Sequence, residues 1–216
     1  MLQKRKVVVT GLGVLAPNGN TTSEYWKALT AGKSGIGPIE SFDASDLSVR
    51  IAGELKDFDP QSFFDRKELR KLDPFTIYHL VSSEEAIKNS GIDLDKTDGD
   101  RIGVIIGTGI GGIQTLENEH GVFSERGQRR VSPFFVPRFI PNIASGNLAI
   151  KFGLRGPNHT VISACASGTD AIGCAMRTIQ YGDADVMITG GTEASITGLT
   201  ISGFGNIKAL STRNDD

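Results

Sequence analysis

Residues 160–173 read Thr-Val-Ile-Ser-Ala-Cys-Ala-Ser-Gly-Thr-Asp-Ala-Ile-Gly. A β-branched run passes through small residues into an amphipathic pattern, an order that predicts strand, tight turn and helix. Val161 and Ile162 suit a buried strand, and the step from Ala164 to Gly168 is small enough for the turn. Beyond it Ile172, Ala175, Met176 and Ile179 recur at helical spacing, and Gly182 offers a C′ stop. Cys165 therefore falls where strand becomes helix. The unpaired N–H groups and positive dipole end of a helix N-terminus favour a thiolate. The cysteine is thus a candidate nucleophile, presented as serine is on the sharp turn of hydrolases. A small buried cysteine filling a gap is the other reading, and position alone leaves both open.

The rest of the chain supplies strands and helices in alternation. Lys6-Val-Val-Val-Thr-Gly-Leu-Gly reads as a buried strand entering a glycine turn. Thr21 and Glu24 form a capping box for a helix through Trp26 and Leu29, closed by Gly32. Residues 35–64 show no period. Asp73-Pro74 has the form of N-cap and first turn, and Phe75, Ile77, Leu80, Val81 and Ile87 give that helix an apolar face ending at Gly91. Arg101–Gly107 is a second buried strand, followed by the turn Gly107-Thr-Gly-Ile-Gly-Gly112 and a polar helix into Glu125. Ser132-Pro-Phe-Phe-Val-Pro-Arg-Phe-Ile-Pro141 is predicted not to be helical, with its prolines every four residues, yet to be packed. Asn142 caps a short helix ending at Gly153, and Asp185–Gly191 is a third clear strand. Short apolar strands separated by helices predict an α/β fold with a mainly parallel sheet covered on both faces.

Several function classes fall away. At 216 residues and a formal charge of −2, the chain has no global field directed at nucleic acid or membrane. After Lys4-Arg5-Lys6 the apolar run is broken by Thr10-Gly11, too soon for a signal-peptide core, and no stretch approaches the ~20 apolar residues of a spanning helix. Cys165 and Cys174 lie on opposite faces of one helix and should not pair, so a reducing cytoplasmic setting is expected. No metal-ligand cluster is visible. Gly11-x-Gly13-x-x-Ala16 and Gly107-x-Gly109-x-x-Gly112 imitate a dinucleotide fingerprint, but neither has an acidic strand end ~20 residues on. Gly32-Lys33-Ser34 lacks the first glycine of a phosphate loop and closes a helix where it should open one. His159 precedes Cys165 along an extended strand by about 20 Å, too far to be its base. His79 and His120 read as structural or solvated.

The motifs together are similar to the β-ketoacyl-(acyl-carrier-protein) synthases of the thiolase superfamily, above all the type II bacterial enzyme. They are Val9–Gly19, Gly107–Gly112, Ser132–Pro137, Phe152–Pro157, Ser163-Ala-Cys-Ala-Ser-Gly168, Tyr181–Val186, Gly190-Gly-Thr-Glu193 and Ala209–Asp215. The resemblance implies the N-terminal half, residues 1–216, of a thiolase-like layered α-β-α-β-α fold with no cofactor. It implies an elongating condensing enzyme of fatty-acid synthesis: an acyl chain moves from acyl carrier protein to Cys165, whose backbone N–H is one oxyanion donor. Decarboxylative Claisen condensation with malonyl-acyl carrier protein follows. A polyketide-type ketosynthase and a non-catalytic partner subunit are the alternatives. Such subunits lose the cysteine that this chain keeps.

By the same resemblance Ile110, Phe135, Val136 and Phe204 line the acyl pocket, with Phe135 and Val136 reaching across a homodimer interface. Lys67, Arg70 and Lys71 recognise the acidic carrier, with Arg129, Arg130 and Lys208 as additions. Arg66/Arg70 and Lys67/Lys71 are i,i+4 pairs, a like-charge arrangement that an acidic partner would offset. Gly198 stands where the family commonly has proline, and Thr200 where it often has glycine. The family's two active-site histidines and its lysine belong to a second half beyond Asp216, so the 216-residue chain is expected to be inactive alone.

Overall fold

The computed structural model describes residues 5–215, so Lys4 of the basic start lies outside it. In chain order the elements are α1 (Thr22–Thr30), β1 (Gly37–Pro38), β2 (Ile51–Ala52), α2 (Arg66–Leu69), α3 (Pro74–Ser90), β3 (Ile102–Gly107), α4 (Ile113–Arg126), α5 (Phe135–Phe139), α6 (Ile143–Phe152), β4 (Asn158–Val161), α7 (Ser167–Tyr181), β5 (Val186–Gly191) and α8 (Gly198–Asn206), with short 3-10 turns between them. β3 is the centre of a three-stranded parallel sheet in the order β4-β3-β5. The alternation of β3 sorts its side chains between two layers. Ile102, Val104 and Ile106 pack with Leu80 and Val81 of α3 and Leu148 of α6. Ile105 faces the other way, onto Ala171 and Ala175 of α7. All four of these β3 residues are almost fully buried, each contributing roughly 1.5–3 kcal/mol.

Local signals set most helix ends. Asp73 caps α3 by accepting from Phe75 N, Pro74 occupies its first turn, and Gly91 ends it at φ 70°. Thr21 caps α1 by accepting from Glu24 N, although the Glu24 carboxylate turns to Asn20 N rather than to its own cap residue. Gly153 and Gly182 close α6 and α7 in the left-handed region, whereas the Asn142 side chain makes no cap bond.

Four expectations are corrected. Residues 6–13 do not form a strand, and Val8, Val9 and Leu12 are exposed. Gly11 and Gly13 lie directly on α3, where a Cβ would come 2.1 Å from Ala86 O and 1.8 Å from Ser82 O. Leu12 N and Val14 N donate to Asn89 and Glu85 of that helix instead of to a ladder. Ile162 lies beyond β4 and is exposed. On α7 the inward residues are Ser167, Ala171 and Ala175, while Ile172 and Met176 face out; the helix sits too close to the sheet for large side chains. Finally, Phe135–Phe139 is helical despite Pro137. Proline falls in the first turn of that short helix, where its missing N–H would have had no partner.

Candidate functional site

The strand-to-helix turn is built as its residue sizes predict. β4 ends at Val161, residues Ala164–Ala166 form one 3-10 turn, and α7 begins at Ser167. Ala164 carries φ 52°, a left-handed conformation costing an L-residue ~1–2 kcal/mol. The buried Ser167 hydroxyl offsets that strain: it accepts from Ser163 N at 2.9 Å and donates to Ala164 O at 2.7 Å. Cys165, next to the strained residue, is a free and exposed thiol. Cys174 is half-buried against the α7–sheet layer, so the two cysteines stand in different environments.

Three glycines bring this turn against the C-terminal ends of the strands. A Cβ on Gly107 would lie 2.1 Å from Ser167 O, and one on Gly168 would lie 3.2 Å from the Cα of Gly191. The next turn, Gly107–Gly112, is fastened by Glu193, two residues past the end of β5. The Glu193 carboxylate accepts from Gly109 N at 2.6 Å, Ile110 N at 3.2 Å and the Thr108 hydroxyl at 3.2 Å. Gly112 abuts the Phe139 backbone, and Phe139 stacks on Phe135 with ring centroids 5.8 Å apart. The Ile110 turn, Cys165 and the Phe135 helix are thereby brought together.

Phe204 lies on α8, the helix that follows β5. That helix opens with a Thr197–Thr200 capping box, so Thr200, a departure from the family pattern, serves the helix start. Glu117 of α4 accepts from the Thr197 hydroxyl and Leu199 N, and Glu119 accepts from Ser132 N ahead of α5. Asp73, fully buried, accepts from Thr115 N and its hydroxyl, joining the starts of α3 and α4. Burial pushes its carboxyl above the ordinary range against the pull of those donors. Val136 and Phe204 remain exposed, so these residues do not enclose a cavity. A 700 Å³ cavity lies elsewhere, around Pro17, Lys33, Lys56 and Phe63.

The basic residues lie on the surface. Lys67, Arg70, Lys71, Arg129, Arg130 and Lys208 are all exposed, and among the described residues none forms an ion pair. The expected i,i+4 stacking is corrected: α2 stops at Leu69, and Lys71 N bonds Glu68 O, three residues back. Lys71 Nζ instead stands 6.0 Å from the centre of the Phe134 ring, which brings this group to the Ser132–Pro137 segment. Lys208 follows α8 at φ 58°.

The histidines take other roles. His79 is buried in α3 with Nδ1 3.1 Å from the Ser83 hydroxyl, and burial lowers its pKa to about 3. His120 is exposed on α4 and His159 lies in β4. Arg5 and Arg101 both pair with Asp185 and hold that carboxyl at about 2. It sits at the opposite end of β3 and β5 from Cys165. Among the described residues no group of His, Cys, Asp or Glu is placed to hold a metal ion, and no helix is long and apolar enough to cross a membrane.

Sequence reasoning missed Glu193 and Ser167 as site builders. For the first, the sequence shows only an acidic residue just past a strand and, 84 residues away, a glycine turn whose N–H groups suit an anion; the fold sets them together.

A cysteine on a strained strand-to-helix turn beside a glycine turn, on a parallel sheet flanked by helices, is the architecture of a thiolase-like α/β fold. Residues 4–216 match the family model "Beta-ketoacyl synthase, N-terminal domain", and the chain belongs to that family. It is 49% identical over 215 residues to the 3-oxoacyl-[acyl-carrier-protein] synthase 2 of Synechocystis, covering 100% of this chain and 52% of that protein. The enzyme of the same name from Staphylococcus aureus is 47% identical over the same shares. The chain thus spans about half the length of the curated relatives it matches. Among solved structures, the ishigamide ketosynthase/chain length factor superposes with a TM-score of 0.89 at 25% identity, over 97% of this chain and 52% of that one. A type II polyketide ketosynthase, solved with its acyl-carrier protein and bound to the hexaketide, gives 0.82 at 28%, over 94% and 55%.

Proposed function

We propose that residues 1–216 are the N-terminal half of an elongating condensing enzyme of fatty-acid synthesis, working in the cytoplasm as a homodimer. The Cys165 sulfur attacks the thioester carbonyl of an acyl carrier protein. The tetrahedral oxyanion is held by the Cys165 backbone N–H, and the carrier thiol leaves. Malonyl-acyl carrier protein then loses carbon dioxide, and the resulting carbanion attacks the Cys165 thioester. The thiolate is released and 3-oxoacyl-acyl carrier protein is formed. Ile110, Phe135, Val136 and Phe204 receive the acyl chain, while Lys67, Arg70, Lys71, Arg129, Arg130 and Lys208 receive the acidic carrier.

The observation carrying this reading is the exposed Cys165 beside the strained Ala164, with the Gly109–Ile110 turn held against it. The 47–49% identity to fatty-acid enzymes favours that substrate class over the polyketide alternative, whose solved representatives stand at 25–28%. The test is acyl loading. Mixed with acyl-charged carrier protein, the chain gains the acyl mass on the peptide containing Cys165, and Cys165→Ser gains none. Absence of that adduct, or its equal appearance on Cys174, sinks the proposal. The 216-residue chain alone does not condense, since its histidines lie away from Cys165; turnover of malonyl-carrier by it would refute that assignment.

A further inference from the structure

We propose that Glu193 is a positioning residue that sets which acyl chains Cys165 accepts, by holding the Gly109–Ile110 turn against the nucleophile. The inference rests on the acyl-loading reading above. Three consecutive residues are fastened by this one carboxylate. Oε2 accepts from Gly109 N at 2.6 Å and Ile110 N at 3.2 Å, and Oε1 accepts from the Thr108 hydroxyl. Thr108 in turn accepts from Gly111 N at 3.2 Å, so the whole turn closes on Glu193.

The other wall of the turn is the nucleophile's own neighbour. A Cβ at Gly109 would lie 2.9 Å from Glu193 Oε2 and 3.5 Å from Ala164 O. Gly109 is therefore wedged between the carboxylate and the strained residue that precedes Cys165. Neither Cys165 nor an acyl chain needs to touch Glu193 for it to act. Its effect passes through Ile110, the apolar side chain that the turn presents. Backbone bonds to a charged acceptor are about twice as strong as neutral ones, and an ordered turn narrows the positions Ile110 can take. Loss of the carboxylate frees three N–H or O–H donors at once, and the turn gains other conformations.

The variants are Glu193→Ala and Glu193→Gln. Glutamine keeps one oxygen for the two amides and offers its N–H to the Thr108 hydroxyl, so it retains the turn. Two readouts are taken on the 216-residue chain. Hydrogen exchange of the Gly109 and Ile110 amides is expected to rise roughly tenfold or more in Glu193→Ala and to stay near wild type in Glu193→Gln. The ratio of Cys165 loading by butyryl- and dodecanoyl-carrier protein is expected to shift roughly threefold or more in the alanine variant only. Unchanged exchange in Glu193→Ala overturns the fastening. Faster exchange with an unchanged loading ratio overturns the selectivity role. If wild-type Cys165 takes no acyl group from either donor, the function proposed above fails, and the selectivity inference goes with it; exchange still decides the fastening separately.

Discussion

Gly107→Ala is the substitution in which packing and chemistry are most directly joined. The new Cβ would lie 2.1 Å from Ser167 O, 2.2 Å from the Ser167 carbonyl carbon and 2.6 Å from Gly168 N. Non-bonded heavy atoms settle near 3.5 Å, so a gap of up to about 1.4 Å must open. All three obstacles are backbone of the first turn of α7, and none can swing aside as a side-chain tip could. Overpacking typically costs 1–3 kcal/mol, and a wholly backbone obstacle puts this site near the upper end, about 3 kcal/mol. The displaced turn also carries the Ser167 hydroxyl that holds Ala164, so the presentation of Cys165 should degrade with stability. Urea unfolding gives the first quantity, and the iodoacetamide labelling rate of Cys165 relative to Cys174 gives the second. Gly121→Ala in α4 is the control, because a Cβ there meets open space and should stabilise by roughly 0.5–1 kcal/mol. If Gly107→Ala unfolds within ~0.5 kcal/mol of wild type and keeps the wild-type labelling ratio, the close-packing account of the turn is wrong.

Two further outcomes are expected. His79 has a folded pKa of about 3 against an ordinary 6.5. Its contribution is therefore complete above 6.5 and is lost as pH falls towards 3, amounting to about 2 kcal/mol between pH 7 and pH 5. Urea unfolding at the two pH values should show that loss in wild type and not in His79→Gln; parallel losses would contradict it. Charge reversal at Lys67 and Arg70 should weaken binding of acyl carrier protein most at low salt, and an affinity that is unchanged at every salt concentration removes both residues from the docking surface.

Elements with internal signals were legible in the sequence. α3 carried its own N-cap, its first-turn proline and its terminal glycine, and β3 was an unbroken apolar run. The Cys165 turn was legible because small residues between a β-branched run and a helix leave few other geometries. What could not be read depended on neighbours. Val7–Thr10 has strand composition, yet a strand needs a partner, and the glycines after it lie on α3 instead. The outward Ile172 and Met176 follow from how closely α7 approaches the sheet, a distance set by Gly107, Gly168 and Gly191 on three separate elements. Glu193 and Gly109 are 84 residues apart, and no local pattern links them.

The distribution of charge around the site bears on how a chain of net charge −2 could receive an acidic partner. Four of its acidic residues are engaged inwards: Asp73 with Thr115 and Phe75, Glu117 with Leu199 and Thr197, Glu119 with Ser132, and Glu193 with Gly109 and Ile110. In each, the carboxylate charge faces backbone N–H groups, whose partial positive charge offsets part of its field. The basic residues proposed for docking have no such acceptor: Lys67, Arg70, Lys71, Arg129 and Arg130 are exposed and form no ion pair among the described residues. Screening confines what a partner feels to about 10 Å at 0.1 M salt, so local arrangement outweighs the net charge. Removing one inward carboxylate therefore does two opposing things: it makes the surface more positive, and it frees the loop that the carboxylate held. Glu119→Gln separates them, because glutamine can still accept from Ser132 N while the charge is gone. Carrier binding should strengthen slightly in Glu119→Gln and weaken in Glu119→Ala; weakening in both would show that the charge itself, and not the fastened segment, is what docking requires.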